Sequence, residues 1–403
     1  MLIKSTIYQL SSAGISKLFG FFITAFLYRL YSLDEIGKFY LLLSIFGIFV
    51  AIQQIGSEKP LINYNIKNKK KKEYQIIKTK FIISLVISPI FFSISYNLFD
   101  SSALFVSLMM TFTFILSSLN IDYILIAKKK FLKHSVVTLL VQLMVFIFFG
   151  LSFYLDLKPQ IIFRQFIPTF LLQLLFFILI LNLVKINFKK IIYSKLISID
   201  YLKENKIIIL NYIFISLITG SDLILAKNIL NDNELGIIAG LFQYSLLSFG
   251  FLIIISKILY SYAINTENSK KFKSSSKFLI NIYSFISVIG LAILLYPYLK
   301  YIMNLKEISE ILIPGIIITI TVFLMPSFFL EINKIEISKK KLPINPLLIF
   351  IIITMLVYFS GGTILAKIYS EKLIYYLLSI MFLTKWLTLY FGILYLNKKF
   401  KIN

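Results

Sequence analysis

Residues 32–40 read S-L-D-E-I-G-K-F-Y, and residues 231–239 read N-D-N-E-L-G-I-I-A. Glu35-Ile36-Gly37 thus returns as Glu234-Leu235-Gly236, an offset of 199 (234 − 35) in a chain of 403 residues. Each acidic, glycine-containing knot lies between two long apolar runs. Glycine lets two antiparallel helices turn tightly, and the carboxylates of Asp34, Glu35, Asp232 and Glu234 fall where the next helix begins, favourably placed for its dipole. Glu35, Gly37, Glu234 and Gly236 therefore read as a structural hairpin signature rather than a reacting centre.

The flanking runs decide the class. Hydrophobic residues make up 59% of the chain and charged residues 15%, against about 45–50% and about 25% in soluble domains. Runs of about 20 apolar residues cross the hydrocarbon layer, and a lipid-exposed backbone must satisfy its own hydrogen bonds, which requires helices. The chain is expected to be an all-α polytopic membrane protein of about twelve spans. They lie near 7–30, 36–56, 76–98, 101–127, 135–155 and 161–186, then 206–230, 235–258, 278–298, 308–332, 344–366 and 373–397. The region Met1–Leu30 lacks a short apolar core followed by a cleavage site and is read as a retained first span.

A net charge of +24 would suit nucleic acid were the lysines on one face; instead they cluster between spans. One alternate set of connections, from Lys4 through Lys59, Lys67–Lys72, Lys128–Lys133, Lys185–Lys206, Lys257–Lys277 and Lys334–Lys341 to Lys398–Lys401, carries 29 of the 42 basic residues. The opposite set carries six: Arg29, Lys158, Lys300, Lys306, Lys367 and Lys372. The positive-inside rule puts both termini in the cytoplasm, in agreement with an even number of spans. The outer connections are short and leave no room for a soluble domain. In the middle connection, Ile192, Leu196, Ile199 and Leu202 at helical spacing read either as an interfacial helix or as a plain basic linker. There is no cysteine, hence no disulfide or thiolate metal site. His134, the sole histidine, sits in a basic loop without a visible acid–base or zinc partner. No glycine-rich phosphate loop is present. No cofactor and no metal are expected.

The recurring knot joins spans one and two, then spans seven and eight, on the same side. Two six-helix halves, 1–200 and 201–403, with the same orientation form a parallel repeat, a plan of secondary transporters with the substrate between the halves.

The stretch L-Y-R-L-Y-S-L-D-E-I-G-K-F-Y-L-L-L-S-I-F-G-I-F followed by Q-Q-I-G resembles the N-terminus of Wzx-type bacterial oligosaccharide flippases, within the multidrug/oligosaccharidyl-lipid/polysaccharide (MOP) exporter superfamily. Arg29, Ser32, Glu35, Gly37, Tyr40 and Gly56 fill the family's positions, and Asp222, Glu234 and Gly236 fill those of its second characteristic region. Ile238-Ala239 stands where a tyrosine is common. The resemblance implies two parallel six-helix bundles around a central cavity in the bacterial cytoplasmic (inner) membrane. It also implies a non-enzymatic role, the movement of an undecaprenyl-diphosphate-linked oligosaccharide from the inner to the outer leaflet for surface polysaccharide such as O-antigen or capsule. Membrane lipids and polysaccharide polymerase machinery are the implied partners.

Such cargo needs cations at membrane depth, where charges are costly and by default functional. Lys17, Arg164, Lys227 and Lys385 are the candidate substrate-binding residues, and Asp222 and Asp122 the candidates for ion coupling. Asp222 and Lys227, five residues apart, lie about 140° around a helix and are not expected to pair. Snorkelling remains open for Lys227, interfacial anchoring for Arg164, and an ordinary surface role for Asp122. Alternative functions are a MATE-like small-molecule or drug antiporter and an integral-membrane glycosyltransferase or polymerase. The last generally needs an outer domain that the connections do not supply.

Overall fold

A computed structural model gives the fold. It describes residues 15, 19–67, 69–98, 103–128, 130–155, 162–184, 188–245, 270–305, 308–322, 324–325, 328, 331, 344–368 and 373–399. All regular structure among these residues is helical: α1 Phe19–Leu30, α2 Leu33–Gln54, α3 Glu58–Ile66, α4 Lys70–Asn97, α5 Ala103–Ser117, α6 Tyr123–Ala127, α7 Phe131–Tyr154, α8 Ile162–Val184, α9 Phe188–Ile192 and α10 Ile199–Lys227. Then come α11 (232–245), α12 Lys270–Pro297 with a π-turn at Tyr298–Ile302, α13 Ser309–Thr321, α14 Ile344–Ile368 and α15 Ile374–Lys399. Each expected span contains helix among its described residues. Among the described residues, six helices are long and apolar enough to cross a membrane, and five shorter apolar helices accompany them. Their outward residues are greasy, with Val86, Ile293 and Leu356 all exposed, as for a surface solvated by lipid rather than water. The protein is an all-α polytopic membrane protein.

The chain forms two compact units, one of Met1–Tyr31 and Leu42–Gly220, the other of Ser32–Leu41 and Ser221–Asn403. The first turns of α2 thus belong with the second unit, and the knots explain why. The backbone N–H of Ser32 donates to Glu35 Oε2 at 3.1 Å, and that of Asn231 donates to Glu234 Oε2 at 3.1 Å. Glu234 N–H in turn donates to Asn231 Oδ1 at 2.9 Å. The second knot is a reciprocal helix-capping box, and the first shares its carboxylate half, in which a first-turn glutamate reaches back to the backbone N–H of the residue that precedes the helix.

The knots also pack on one another. A Cβ on Gly236 would lie 2.0 Å from the Leu33 carbonyl oxygen, and one on Gly37 would lie 2.9 Å from Gly236 N and 3.0 Å from the Asp232 carbonyl oxygen. Leu33 and Asp232 are themselves 199 residues apart, so each knot offers its glycine to the same position of the other. Lys38 Nζ adds a 3.7 Å contact to Asp232.

In the first unit, Phe46, Phe49, Phe91 and Phe114 form an aromatic core between α2, α4 and α5, with centroids 5.2–6.4 Å apart. The structure differs from expectation in three places here. The span expected over 101–127 is broken, because α5 stops at Ser117 and α6 begins at Tyr123. Ser117, Ser118 and Asn120 compete for backbone hydrogen bonds at that point. Gln53 Nε2 takes the Phe114 carbonyl at 2.9 Å, Gln54 Nε2 the Ser117 carbonyl at 3.4 Å, and Ser117 Oγ returns a bond to Gln53 Oε1 at 3.0 Å. With its last carbonyls taken by side chains, the helix ends.

The connection 57–75 is not a loop either. Ile55 and Gly56 adopt φ +48° and +56° and reverse the chain, α3 follows, and most of the lysine cluster forms the start of α4. A Cβ on Gly56 would come 2.7 Å from Ile209 Cα, so only glycine permits that approach to α10.

The middle connection through Ile192, Leu196, Ile199 and Leu202, open to reading as an interfacial helix or a plain basic linker, is not one continuous helix. Residues 193–198 leave helical geometry between α9 and α10 and are pinned to α4. Lys78 Nζ donates to the carbonyls of Ile192 (2.6 Å) and Ser194 (2.8 Å), and Ile197 N–H donates to Thr79 Oγ1 (3.0 Å).

Candidate functional site

Three helices of the second unit converge on one buried charge pair. Asp222 lies about one and a half turns before the end of α10, Lys385 in mid-α15 and Tyr358 in mid-α14. Small and apolar residues bring these helices together. Leu225, Tyr358 and Met381 pack as a buried cluster, and a Cβ on Gly362 would lie 2.7 Å from Met381 Cε and 2.9 Å from a Leu225 methyl. Within this apolar packing the Lys385 ammonium donates to Asp222 Oδ1, and the Tyr358 hydroxyl donates to the same oxygen. The side chain of Lys385 is 0% exposed and that of Asp222 5%.

Aromatic faces surround the ammonium. Lys385 Nζ lies 4.7 Å from the Tyr358 ring centroid, 5.1 Å from Phe382 and 5.9 Å from Trp386, distances at which the ring quadrupole attracts a cation. Trp386 packs edge-on against Phe328 at 5.6 Å. An isolated charge at this depth would cost several kcal/mol; a carboxylate, a phenol and three ring faces together offset it. Chemically, the arrangement is a cation held by a carboxylate that two donors compete for. It can open only if something else satisfies the ammonium, the carboxylate, or both.

The other candidates fall elsewhere. Lys227, at the end of α10, is bonded to Asp232 in the second knot. Asp222 and Lys227 indeed do not pair; each has its own partner. The hydrogen bond from Lys227, with Lys38 nearby, holds the Asp232 carboxyl below the usual carboxylate range. Asp122 sits between α5 and α6, and His134 Nε2 lies 3.3 Å from its Oδ2. This corrects the reading of His134 as partnerless: it belongs to the first turn of α7, not to a loop. Arg164 lies on α8, its side chain outside the described residues, and Lys17 also lies outside them. The structure therefore joins Asp222 to Lys385 and gives Lys227 and Asp122 separate partners. Tyr358 had no sequence signal, being one of 25 tyrosines. Among the described residues no group of three or more His, Asp or Glu side chains is placed to hold a metal ion.

No protein-family model matches the chain, and no curated protein sequence matches it. Solved structures do. A MATE transporter in complex with MaL6 superposes with a TM-score of 0.69 at 12% identity, covering 99% of this chain and 96% of its own. The outward-facing conformation of a multidrug resistance MATE family transporter of the MOP superfamily gives 0.68 at 14% identity, covering 99% and 95%. A MOP superfamily transporter from Pyrococcus furiosus Vc1 (DSM3638), described as having a binding pocket of reverse polarity that suggests a different function, gives 0.68 at 12% identity with the same coverage. These similar proteins are transporters. Over nearly its whole length, the chain has the fold of MATE/MOP superfamily transporters.

Proposed function

We propose that this protein is a translocase of an anionic lipid-linked cargo, a polyprenyl-diphosphate-linked oligosaccharide moved from the inner to the outer leaflet of a bacterial cytoplasmic membrane, both termini being cytoplasmic. The observation that carries the reading is the buried Asp222–Lys385–Tyr358 cluster. A cationic drug requires a carboxylate able to receive it, yet Asp222 already accepts from an ammonium and a phenol. A diphosphate requires a cation that can be released to it, and an oxyanion competes well for an ammonium. Exchange of the carboxylate for a phosphate oxygen keeps Lys385 paired, while Tyr358 keeps Asp222 bonded or a coupling ion neutralises it. The likeness of the two knots to flippase sequences supports the same cargo, as does a neighbour of the same fold whose pocket is described as reversed in polarity.

The second reading, a MATE-like small-molecule antiporter, is favoured by the names of the neighbours themselves. The experiment replaces Lys385 with Ala and Asp222 with Asn in a strain lacking its own copy, at matched membrane levels. Surface polysaccharide output should fall at least about tenfold, a loss of about 1.4 kcal/mol of coupling, and the lipid-linked precursor should accumulate in the inner leaflet. Unchanged polysaccharide output with altered drug susceptibility would replace the flippase reading by the antiporter.

A further inference from the structure

The middle connection, in the first unit, has an outward face that the proposed transport does not use. Tyr193 is 85% exposed, Ile199 70%, Ile192 65% and Leu196 50%. Lysines are interleaved with them. Lys189 and Lys190 precede the stretch, Lys195 stands inside it and Lys203 follows it, all exposed. With Lys206, five exposed lysines between 188 and 206 face two exposed acids, Asp200 and Glu204. Glu204 is shared with a further lysine, Lys72 of α4, at 4.0 Å. The face is thus basic and apolar at once.

The stretch is held in place. Besides the bonds from Lys78 and Thr79 that fix Ile192, Ser194 and Ile197, the Ser194 hydroxyl donates to the Tyr74 carbonyl at 3.2 Å. Tyr193 N–H closes the end of α9 on the Lys189 carbonyl at 3.1 Å. These bonds turn polar groups of the stretch toward α4 and leave its apolar side chains outside. The same helix sets the depth. Lys78 and Thr79 stand where the lysines at the start of α4 give way to the apolar run from Phe81 to Phe92, so the stretch lies along the edge of the hydrocarbon layer. Apolar side chains at that edge leave water by entering the acyl boundary, and lysines beside them keep their ammoniums at the level of the headgroups.

We infer that this stretch is a docking surface for anionic phospholipid headgroups: its lysines bind headgroup phosphates while Ile192, Tyr193, Leu196 and Ile199 enter the upper acyl chains. Charge complementarity selects the occupant. A zwitterionic headgroup brings no net charge to an excess of lysine, whereas near an anionic surface each lysine strengthens attachment about fivefold. An acidic soluble protein matches the lysines but does not cover apolar side chains held at that depth. The surface owes nothing to the cargo, since it belongs to the first unit, and Asp222 and Lys385 to the second. It leads straight into α10, the helix that carries Asp222 near its other end. The acidic lipid content of the leaflet therefore sets how firmly the first turn of that helix is anchored.

Because the chain has no cysteine, Leu196→Cys carries a single environment-sensitive fluorophore on this face. The full chain is placed in nanodiscs of phosphatidylcholine alone, or of phosphatidylcholine with an equal part of phosphatidylglycerol. Acrylamide, a neutral aqueous quencher, reports the depth of the probe. Quenching should fall at least about threefold when phosphatidylglycerol is present. Salt at about 1 M should reverse part of that fall, because it shortens the screening length to about 3 Å. The same fluorophore at Tyr154→Cys, exposed at the far end of α7, should not respond to lipid charge. Replacing Lys189, Lys190, Lys195 and Lys203 together with Gln should abolish the response at Leu196→Cys. Equal quenching in the two membranes overturns the surface, and a response that survives the four substitutions overturns the part given to the lysines. A fall in quenching seen only when a cytosolic fraction is added assigns the face to a soluble protein and overturns the lipid reading.

Discussion

At Asp222 and Lys385 the energetics of a single side chain decide what a substitution does. The pair sits in an apolar packing with almost no exposure, so removing one partner strands the other as an uncompensated charge. Asp222→Leu and Lys385→Leu should each destabilise the detergent-purified protein by about 3–5 kcal/mol. The double variant should recover much of that, since two apolar groups bury no charge. Thermal melts of the four proteins measure the coupling, and simple additivity would show that the contact is not a tight pair. The two residues were legible one at a time, because charges inside apolar runs stand out. Their partnership was not: 163 residues separate them, and neither periodicity nor local spacing carries information over that distance. The same holds for Asp122 and His134. Twelve residues apart across a helix break, they read as a carboxylate inside an expected span and a histidine in a basic loop until the break turns them toward each other.

Among the elements, the helices were readable from hydropathy, and their ends were not. Apolar content runs through Ser117 and on to Ala127, so a window sees one span where the side-chain amides of Gln53 and Gln54 end a helix. The lysines of 69–72 look like loop, yet Lys70–Lys72 form the start of α4, because a helix can begin in the headgroup region with its cations in water. The knots were the most legible element. Capping boxes and glycines act locally, and the same signal stands twice in the chain. Their packing makes opposite forecasts for similar changes. Gly236→Ala drives a methyl into the Leu33 carbonyl, 2.0 Å from the ideal Cβ, and should cost at least about 1–3 kcal/mol through forced backbone movement. Gly290→Ala, in α12 with nothing within 4 Å of the added carbon, should be neutral or stabilise by about 0.5–1 kcal/mol. Melting temperatures and monodispersity in detergent check both. A tolerated Gly236→Ala would mean that the knots do not touch.

For the whole chain, the asymmetry of basic residues is the quantity that matters. A split of 29 to six between alternate connections predicts one orientation in the bilayer, with the knots outside and the start of α4 and the α6–α7 turn inside. Reporter fusions at Asn233 should read as external and fusions at Lys70 and Lys130 as internal. An internal reading at Asn233 would reverse the orientation proposed for every connection. The fold class was legible because composition and span length are properties of the entire sequence. The proposed cargo rests on a few buried contacts, and a composition average dilutes them away.

The Asp222–Lys385 pair also has a consequence in time. Ribosomes extend chains at about 5–20 residues per second, so the lysine is made roughly 8–30 seconds after its carboxylate. Throughout that interval α10 must reside in or beside the membrane with an acidic side chain that has no counter-charge from α15. Its carboxyl must stay protonated, linger near water at the insertion machinery, or borrow another partner until α15 arrives. Truncation before Lys385 would leave that interim state permanent, marking an incomplete chain by an exposed acid that the membrane's quality-control proteases can reach.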